Sequence, residues 1–121
     1  MEWEDKLVNG QKRSPLLIVI PAYNEEKNIK YVMDDIKKNC PGYDYLIIND
    51  GSSDHTLEVC QRNGYNVLDL PVNLGLAGGF QAGVRYALRH GYRYVVQFDA
   101  DGQHLAEYIQ PMYECAEREK C

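Results

Sequence analysis

Four short apolar runs punctuate the chain: Leu16–Ile20 (LLIVI), Tyr45–Ile48 (YLII), Asn66–Leu70 (NVLDL) and Tyr94–Phe98 (YVVQF). The first two are unbroken, the pattern of strands covered on both faces. Between the runs, apolar residues recur at helical spacing. Ile29, Val32, Met33 and Ile36 stand at i, i+3, i+4 and i+7, which predicts a helix from about Glu26 to Lys38, ended by Pro41-Gly42. A shorter helix is expected after Ser53, with Leu57 and Cys60 inward and Gly64 just past its end. A third carries Phe80, Val84, Ala87 and Leu88 inward and stops at Gly91. A fourth carries Leu105, Ile109, Met112, Tyr113 and Ala116, with Pro111 tolerable only near its first turn.

Strands alternating with helices of this length predict an α/β fold, a Rossmann-like, mostly parallel sheet wrapped by helices on both faces. Right-handed crossovers would then gather the loops Pro21–Glu25, Asn49–Asp54, Pro71–Gly79 and Asp99–His104 at the carboxyl ends of the strands. Open α/β sheets bind their ligands along that edge. Pro21 is expected to stop strand pairing. Residues 1–14 form a polar N-terminal segment, expected to fray, and residues 15–121 form the folded part. The last amphipathic pattern runs to Cys121 without a glycine cap, and four strands lack a closing edge element. An incomplete fold is therefore expected.

Composition narrows the function. A length of 121 residues corresponds to one domain. Thirteen basic against eighteen acidic side chains leave a net charge of −5, which argues against a nucleic-acid surface. The longest aliphatic run, Leu16–Ile20, is far short of the ~20 residues that span a bilayer. No secretory signal is visible after Met1. Cys40, Cys60, Cys115 and Cys121 have neither C-x-x-C pairing nor histidines at zinc-ligand spacing, so reduced structural thiols in a cytoplasmic protein are expected. Most of the ten tyrosines should pack at the sheet ends, and His55 and His90 should lie on the surface.

The chemistry is concentrated in the four loops. Asp99-Ala100-Asp101-Gly102-Gln103-His104 follows the last strand and offers two carboxylates and an amide oxygen, donors suited to Mg2+ or Mn2+. An acidic turn that merely caps a helix would read the same way. In Asn49-Asp50-Gly51-Ser52-Ser53-Asp54, Asp50 could accept the ring N–H of a uracil or guanine, whereas Ser52, Ser53 and Asp54 are sufficiently explained as helix caps. In Pro21-Ala22-Tyr23-Asn24-Glu25-Glu26, Tyr23 offers a stacking ring and Glu25 a partner for a ribose hydroxyl. Asn24 as a cap and Glu25 as a first-turn acid are the plainer alternatives. Asn73-Leu74-Gly75-Leu76-Ala77-Gly78-Gly79 is a glycine-rich approach to a phosphate, or only a flexible turn before a helix. It matches neither G-x-G-x-x-G nor a Walker loop, and the missing fingerprint argues against a dinucleotide-dependent dehydrogenase. A non-catalytic nucleotide-binding or assembly module is the remaining rival. On one sheet edge the four loops together compose a nucleoside-diphosphate site with its metal.

PAYNEE (21–26), NDGSSD (49–54), NLGLAGGFQAGVRYA (73–87) and QFDADGQH (97–104) together resemble the nucleotide-sugar half of family 2 inverting glycosyltransferases of the GT-A fold. The DADGQH segment looks most like that of the polyprenyl-phosphate sugar synthases. The resemblance implies a hexosyltransferase with Asp99, Asp101 and Gln103 at the metal and diphosphate and Asp50 at the base. Pro21, Tyr23 and Glu25 would line the nucleoside pocket, and Gly78 and Asp99 would also contact the nucleotide sugar. It implies a UDP- or GDP-sugar donor and a lipid-phosphate or glycan acceptor used by a longer parent chain, at the inner face of a membrane. The acceptor half of such enzymes has no match here, and no residue is identified as a catalytic base. Weak nucleotide binding without transfer, and self-association through apolar surface beside the last strand, are the expectations.

Overall fold

The computed structural model describes residues 15–40 and 42–98, together with Glu114. Seven elements alternate: β1 (Leu16–Ala22), α1 (Ile29–Asn39), β2 (Asp44–Asp50), α2 (Thr56–Arg62), β3 (Val67–Leu70), α3 (Gly75–Arg89) and β4 (Tyr94–Gln97). The four strands form one sheet in the order β3-β2-β1-β4, and each of the three pairings is parallel. The fold class expected from the apolar runs is the one observed. Apart from Glu114, which is helical, the expected fourth helix lies outside the described residues, as do the polar segment 1–14, Asp99, Asp101, Gln103, Cys115 and Cys121.

The unbroken run in β1 has a direct structural reason. Leu16, Ile18, Ile20 and Ala22 face one layer, where Ile29, Val32, Met33 and Ile36 of α1 and Cys60 of α2 close over them. Leu17 and Val19 face the opposite layer, built with Leu46 and Ile48 of β2 and Tyr86 and Ala87 of α3. Alternate side chains of a strand point to opposite faces, so a strand between two helical layers needs apolar residues at every position. The helical stripe expected in α1 is the one buried.

Several boundaries and one helix face differ from expectation. Pro21 does not end β1, since it stands opposite Ile48 in the β1–β2 register. The Val19 carbonyl accepts the Phe98 N–H at 2.8 Å, so Pro21, two residues on, turns its nitrogen to the same β4 side, past the last β1–β4 pair, Val19–Gln97. The missing N–H therefore removes no ladder bond there. Asn49 and Asp50 belong to β2 rather than to the loop, and both are buried. Helix α1 starts at Ile29, after a turn in which Glu25 O accepts the N–H groups of Asn28 and Ile29 at 2.9 Å.

The glycine-rich segment from Gly75 is already helix. Its inward stripe is Gly79, Gly83, Tyr86 and Ala87, while Phe80 and Val84 are half-buried and Leu88 is 72% exposed. Small residues on this face let α3 approach the sheet closely. A Cβ on Gly83 would lie 2.6 Å from Val19 Cγ1, and one on Gly79 would touch Ile48.

Cys40 and Cys60 are buried, reduced thiols. Burial pushes the pKa of each up to about 11, with Asp35 adding to the rise at Cys40, so neither is a thiolate at neutral pH. Tyrosines close the sheet as expected: the Tyr92 hydroxyl donates to Asp44 Oδ2 at 2.6 Å, and Asn66 N–H donates to the Tyr45 hydroxyl at 3.1 Å. His55 is on the surface, but His90 is half-buried and stacks on Tyr86 with ring centroids 4.2 Å apart.

Candidate nucleotide-sugar site

The strand order reverses beside β1: the chain builds outward through β2 and β3, then returns through α3 to place β4 on the other side of β1. Such a reversal opens a crevice at the carboxyl ends of the strands, the usual ligand position in this architecture. Pro21, Tyr23 and Glu25 leave β1 at that edge, and Asp50 ends β2 beside them. Gly78 lies in the first turn of α3, against the Leu74 side chain. Phe98 reaches the same edge from β4, and Asp99, Asp101 and Gln103 come next in the chain. Five of the sequence-identified residues are thus gathered on one edge, and the three expected metal ligands follow outside the described residues.

Asp50 is only 4% exposed, and its two ends are engaged unequally. Its Oδ1 accepts the Leu74 N–H at 2.7 Å, and its backbone carbonyl accepts Asn73 Nδ2 at 3.0 Å. Among the described residues Oδ2 accepts no hydrogen bond. Gly79 packs beneath it, where an added Cβ would stand 4.0 Å from Asp50 Cγ. Tyr23 is 49% exposed, a ring not consumed by the core. One carboxylate oxygen of Glu25 accepts Asn28 Nδ2 at 3.1 Å.

The sequence reading missed what ties these loops together. Asn24, expected as a helix cap, instead reaches the β2–α2 loop. Its Oδ1 accepts the N–H groups of Ser53 at 2.8 Å and Asp54 at 3.3 Å, and its own N–H donates to Ser52 Oγ at 3.0 Å. Ser52 Oγ donates to Asn49 Oδ1 at 2.6 Å, and Asn49 Nδ2 donates to Asp69 Oδ1 at 2.8 Å, which carries the network to β3. A parallel set of bonds runs through Thr56, which is fully buried. Its hydroxyl accepts the Glu25 N–H at 2.9 Å and donates to Asp54 Oδ1. Ser52 and Ser53 therefore serve the neighbouring loop rather than capping α2, whereas Asp54 does bond the first helical N–H, that of Thr56, at 2.9 Å. The one local signal for Asn24 was the residue type, because asparagine tolerates the left-handed backbone it adopts here, φ 55°.

Asp54 makes this junction pH-sensitive. Partial burial pulls its pKa upward, but hydrogen bonds from Thr56 and from the Glu26 N–H outweigh that and hold it below the ordinary carboxylate value. A depressed folded-state pKa stabilises the protein above the unfolded value, and the contribution is lost as pH falls through the folded value. Asp54→Asn is expected to lower the melting temperature at neutral pH, with the gap to the parent closing below about pH 4. Melting curves across that range check it. A gap that stayed constant would contradict the role.

A cavity of about 700 Å3 flanks β3, between Leu57 and Gln61 of α2 and Tyr86 of α3, and its lining includes none of the candidate site residues named from the sequence. Among the described residues no group of three or more His, Cys, Asp or Glu is placed to hold a metal, and no helix is long and apolar enough to cross a membrane.

The family model for glycosyl transferase family 2 matches residues 17–121. The chain belongs to that family. It is 30% identical over 107 residues to the polyprenol monophosphomannose synthase of Mycolicibacterium smegmatis, covering 84% of this chain and 40% of that protein. It is 31% identical over 104 residues to the undecaprenyl-phosphate mannosyltransferase of Micrococcus luteus, covering 82% and 43%. The chain thus spans about two-fifths of the length of these relatives. Among solved structures, S. aureus TarS superposes with a TM-score of 0.65 at 22% identity, over 87% of this chain and 33% of that one. A glucosyl-3-phosphoglycerate synthase from Mycobacterium tuberculosis, crystallised with Mn2+ and UDP-glucose, superposes with a TM-score of 0.62 at 22% identity, over 87% and 39%. These likenesses establish the GT-A fold of this family 2 member.

Proposed function

We propose that residues 15–121 form the nucleotide-sugar-binding part of a GT-A glycosyltransferase whose parent chain inverts a sugar onto a lipid-phosphate or glycan acceptor. The observation that carries this reading is the common placement of Tyr23, Glu25 and Asp50 at the switch-point edge, with Asp50 Oδ1 anchored and Oδ2 accepting nothing among the described residues. An anchored carboxylate with a spare oxygen suits the ring N–H of uracil or guanine, whereas adenine offers no ring N–H on its Watson–Crick edge. The exposed ring of Tyr23 can stack on a base, and Glu25 is near enough in the chain to reach the ribose.

Asp99, Asp101 and Gln103 are oxygen donors of the kind a hard divalent cation takes, so the donor set fits Mg2+ or Mn2+. Bound there, the cation would offset the charge of a nucleoside-diphosphate leaving group. A phosphate acceptor is already ionised at neutral pH, so transfer to it requires no protein base. This reading places the parent at the cytoplasmic face of a membrane, where a lipid phosphate is reached.

Tyr23→Ala and Asp50→Asn test the pocket. Loss of the stacking ring is expected to weaken nucleoside-diphosphate binding by roughly 1–3 kcal/mol. Asp50→Asn keeps an oxygen for Leu74 N–H and replaces the other with a donor, so preference for UDP or GDP over ADP should shrink. Fluorescence titration of both variants decides the matter: parental affinity and selectivity in each would place the nucleoside elsewhere.

A further inference from the structure

Asn24 combines two properties that a simple turn does not require together. Its backbone is left-handed, and its side-chain oxygen collects three donors from one loop: Ser53 N–H at 2.8 Å, Asp54 N–H at 3.3 Å and Ser53 Oγ at 3.3 Å. These partners lie 29 and 30 residues away in the chain. These bonds lie at the exposed loop edge and not in the core. They fix the distance between two strand ends. On one side stand Tyr23 and Glu25, the immediate neighbours of Asn24. On the other, Ser52 links through Asn49 to the last residues of β2, where Asp50 is held by Leu74.

We propose that Asn24 is a positioning residue that sets the stacking ring of Tyr23 against the base-accepting carboxylate of Asp50, a role that rests on the donor-site reading above. Asn24 touches no ligand in this role. It acts by holding the β1–α1 loop on the β2–α2 loop, so that the base meets both recognition groups at once. A preorganised pocket loses less ordering entropy on binding than loops that must be brought together. The gain falls on bases that use both groups, so Asn24 governs selectivity as well as affinity.

Two substitutions separate the clamp from the backbone. Asn24→Gly adopts a positive φ without strain but removes the oxygen. Asn24→Asp keeps an acceptor where all three side-chain bonds of Asn24 end, since each of them is accepted by Oδ1. The 121-residue chain and both variants are titrated with UDP, GDP and ADP in Mn2+, with melting temperatures taken alongside. N24G is expected to lose about tenfold in affinity for the preferred nucleotide, with its preference over ADP collapsing, while N24D stays within about threefold of the parent. Ser52→Ala, which removes the acceptor of the Asn24 N–H, should shift selectivity in the same direction. A purely structural Asn24 would lower the melting temperature and leave nucleotide preference intact, and that result overturns the proposal. N24G with parental affinity and preference overturns it too, while leaving the donor site standing. Absence of binding by the parent chain itself overturns the donor-site reading and the positioning role together.

Discussion

Replacing Gly51 with alanine is expected to cost about 3 kcal/mol or more of stability, because a left-handed backbone and a steric overlap add at one position. Gly51 has φ 68°, which alanine adopts only with strain. An added Cβ would also lie 2.6 Å from the Val72 carbonyl carbon and closer still to the Asn73 nitrogen. Both are backbone atoms, so no side-chain rotation relieves the overlap. The strand-to-helix segment carrying Asn73 and Leu74 must move, and with it the two hydrogen bonds that hold Asp50. Gly64 supplies the control. Its φ is 71°, but nothing lies within 4 Å of its added Cβ, so Gly64→Ala should cost only the backbone part, about 1 kcal/mol. Thermal melts should show a drop of about 10 °C or more for G51A and a few degrees for G64A. Equal drops would mean that the close approach of the 72–73 segment to Gly51 is not a constraint in solution.

The second large effect concerns the carboxylate pair after β4. Asp101→Asn preserves side-chain shape and removes a charge, which a divalent cation feels more than a fold does. Nucleoside-diphosphate affinity measured in Mn2+ should fall tenfold or more, about 1.4 kcal/mol, while affinity measured in chelator should be unchanged. An unchanged affinity in Mn2+ would remove Asp101 from the metal site. The same comparison for Asp99→Asn and Gln103→Ala ranks the three proposed donors.

Most of the fold was legible because burial on two faces writes itself as unbroken apolar runs. Leu16–Ile20 announced a central strand, and Ile29, Val32, Met33 and Ile36 announced the helix that covers it. The parallel order followed from alternation, and with it the edge on which Pro21, Tyr23, Glu25, Asp50 and Gly78 meet. What escaped the sequence reading depends on neighbours distant in the chain. Asn49 and Asp50 look like loop residues, yet they extend β2 in burial because Asp69 and Ser52 bond the Asn49 amide while Leu74 and Asn73 bond Oδ1 and the backbone carbonyl of Asp50. Gly79 and Gly83 carry no apolar side chain for a helical pattern to register, yet both face inward, and the sheet comes so close to α3 that a larger residue at Gly83 would collide with Val19. Leu88 matched a helical stripe, but Tyr86 and Ala87 take the inward positions and leave it in solvent. The clamp of Asn24 had no periodic signal at all, since its partners belong to another loop.

The most direct measurement is calorimetry of the 121-residue chain with UDP, GDP and ADP, each with Mn2+ and with chelator. A donor site built from Tyr23, Glu25, Asp50 and the Asp99–Gln103 segment requires binding of UDP or GDP that strengthens in Mn2+ and exceeds that of ADP. Binding that ignores both the metal and the base, or no binding at all, would contradict it.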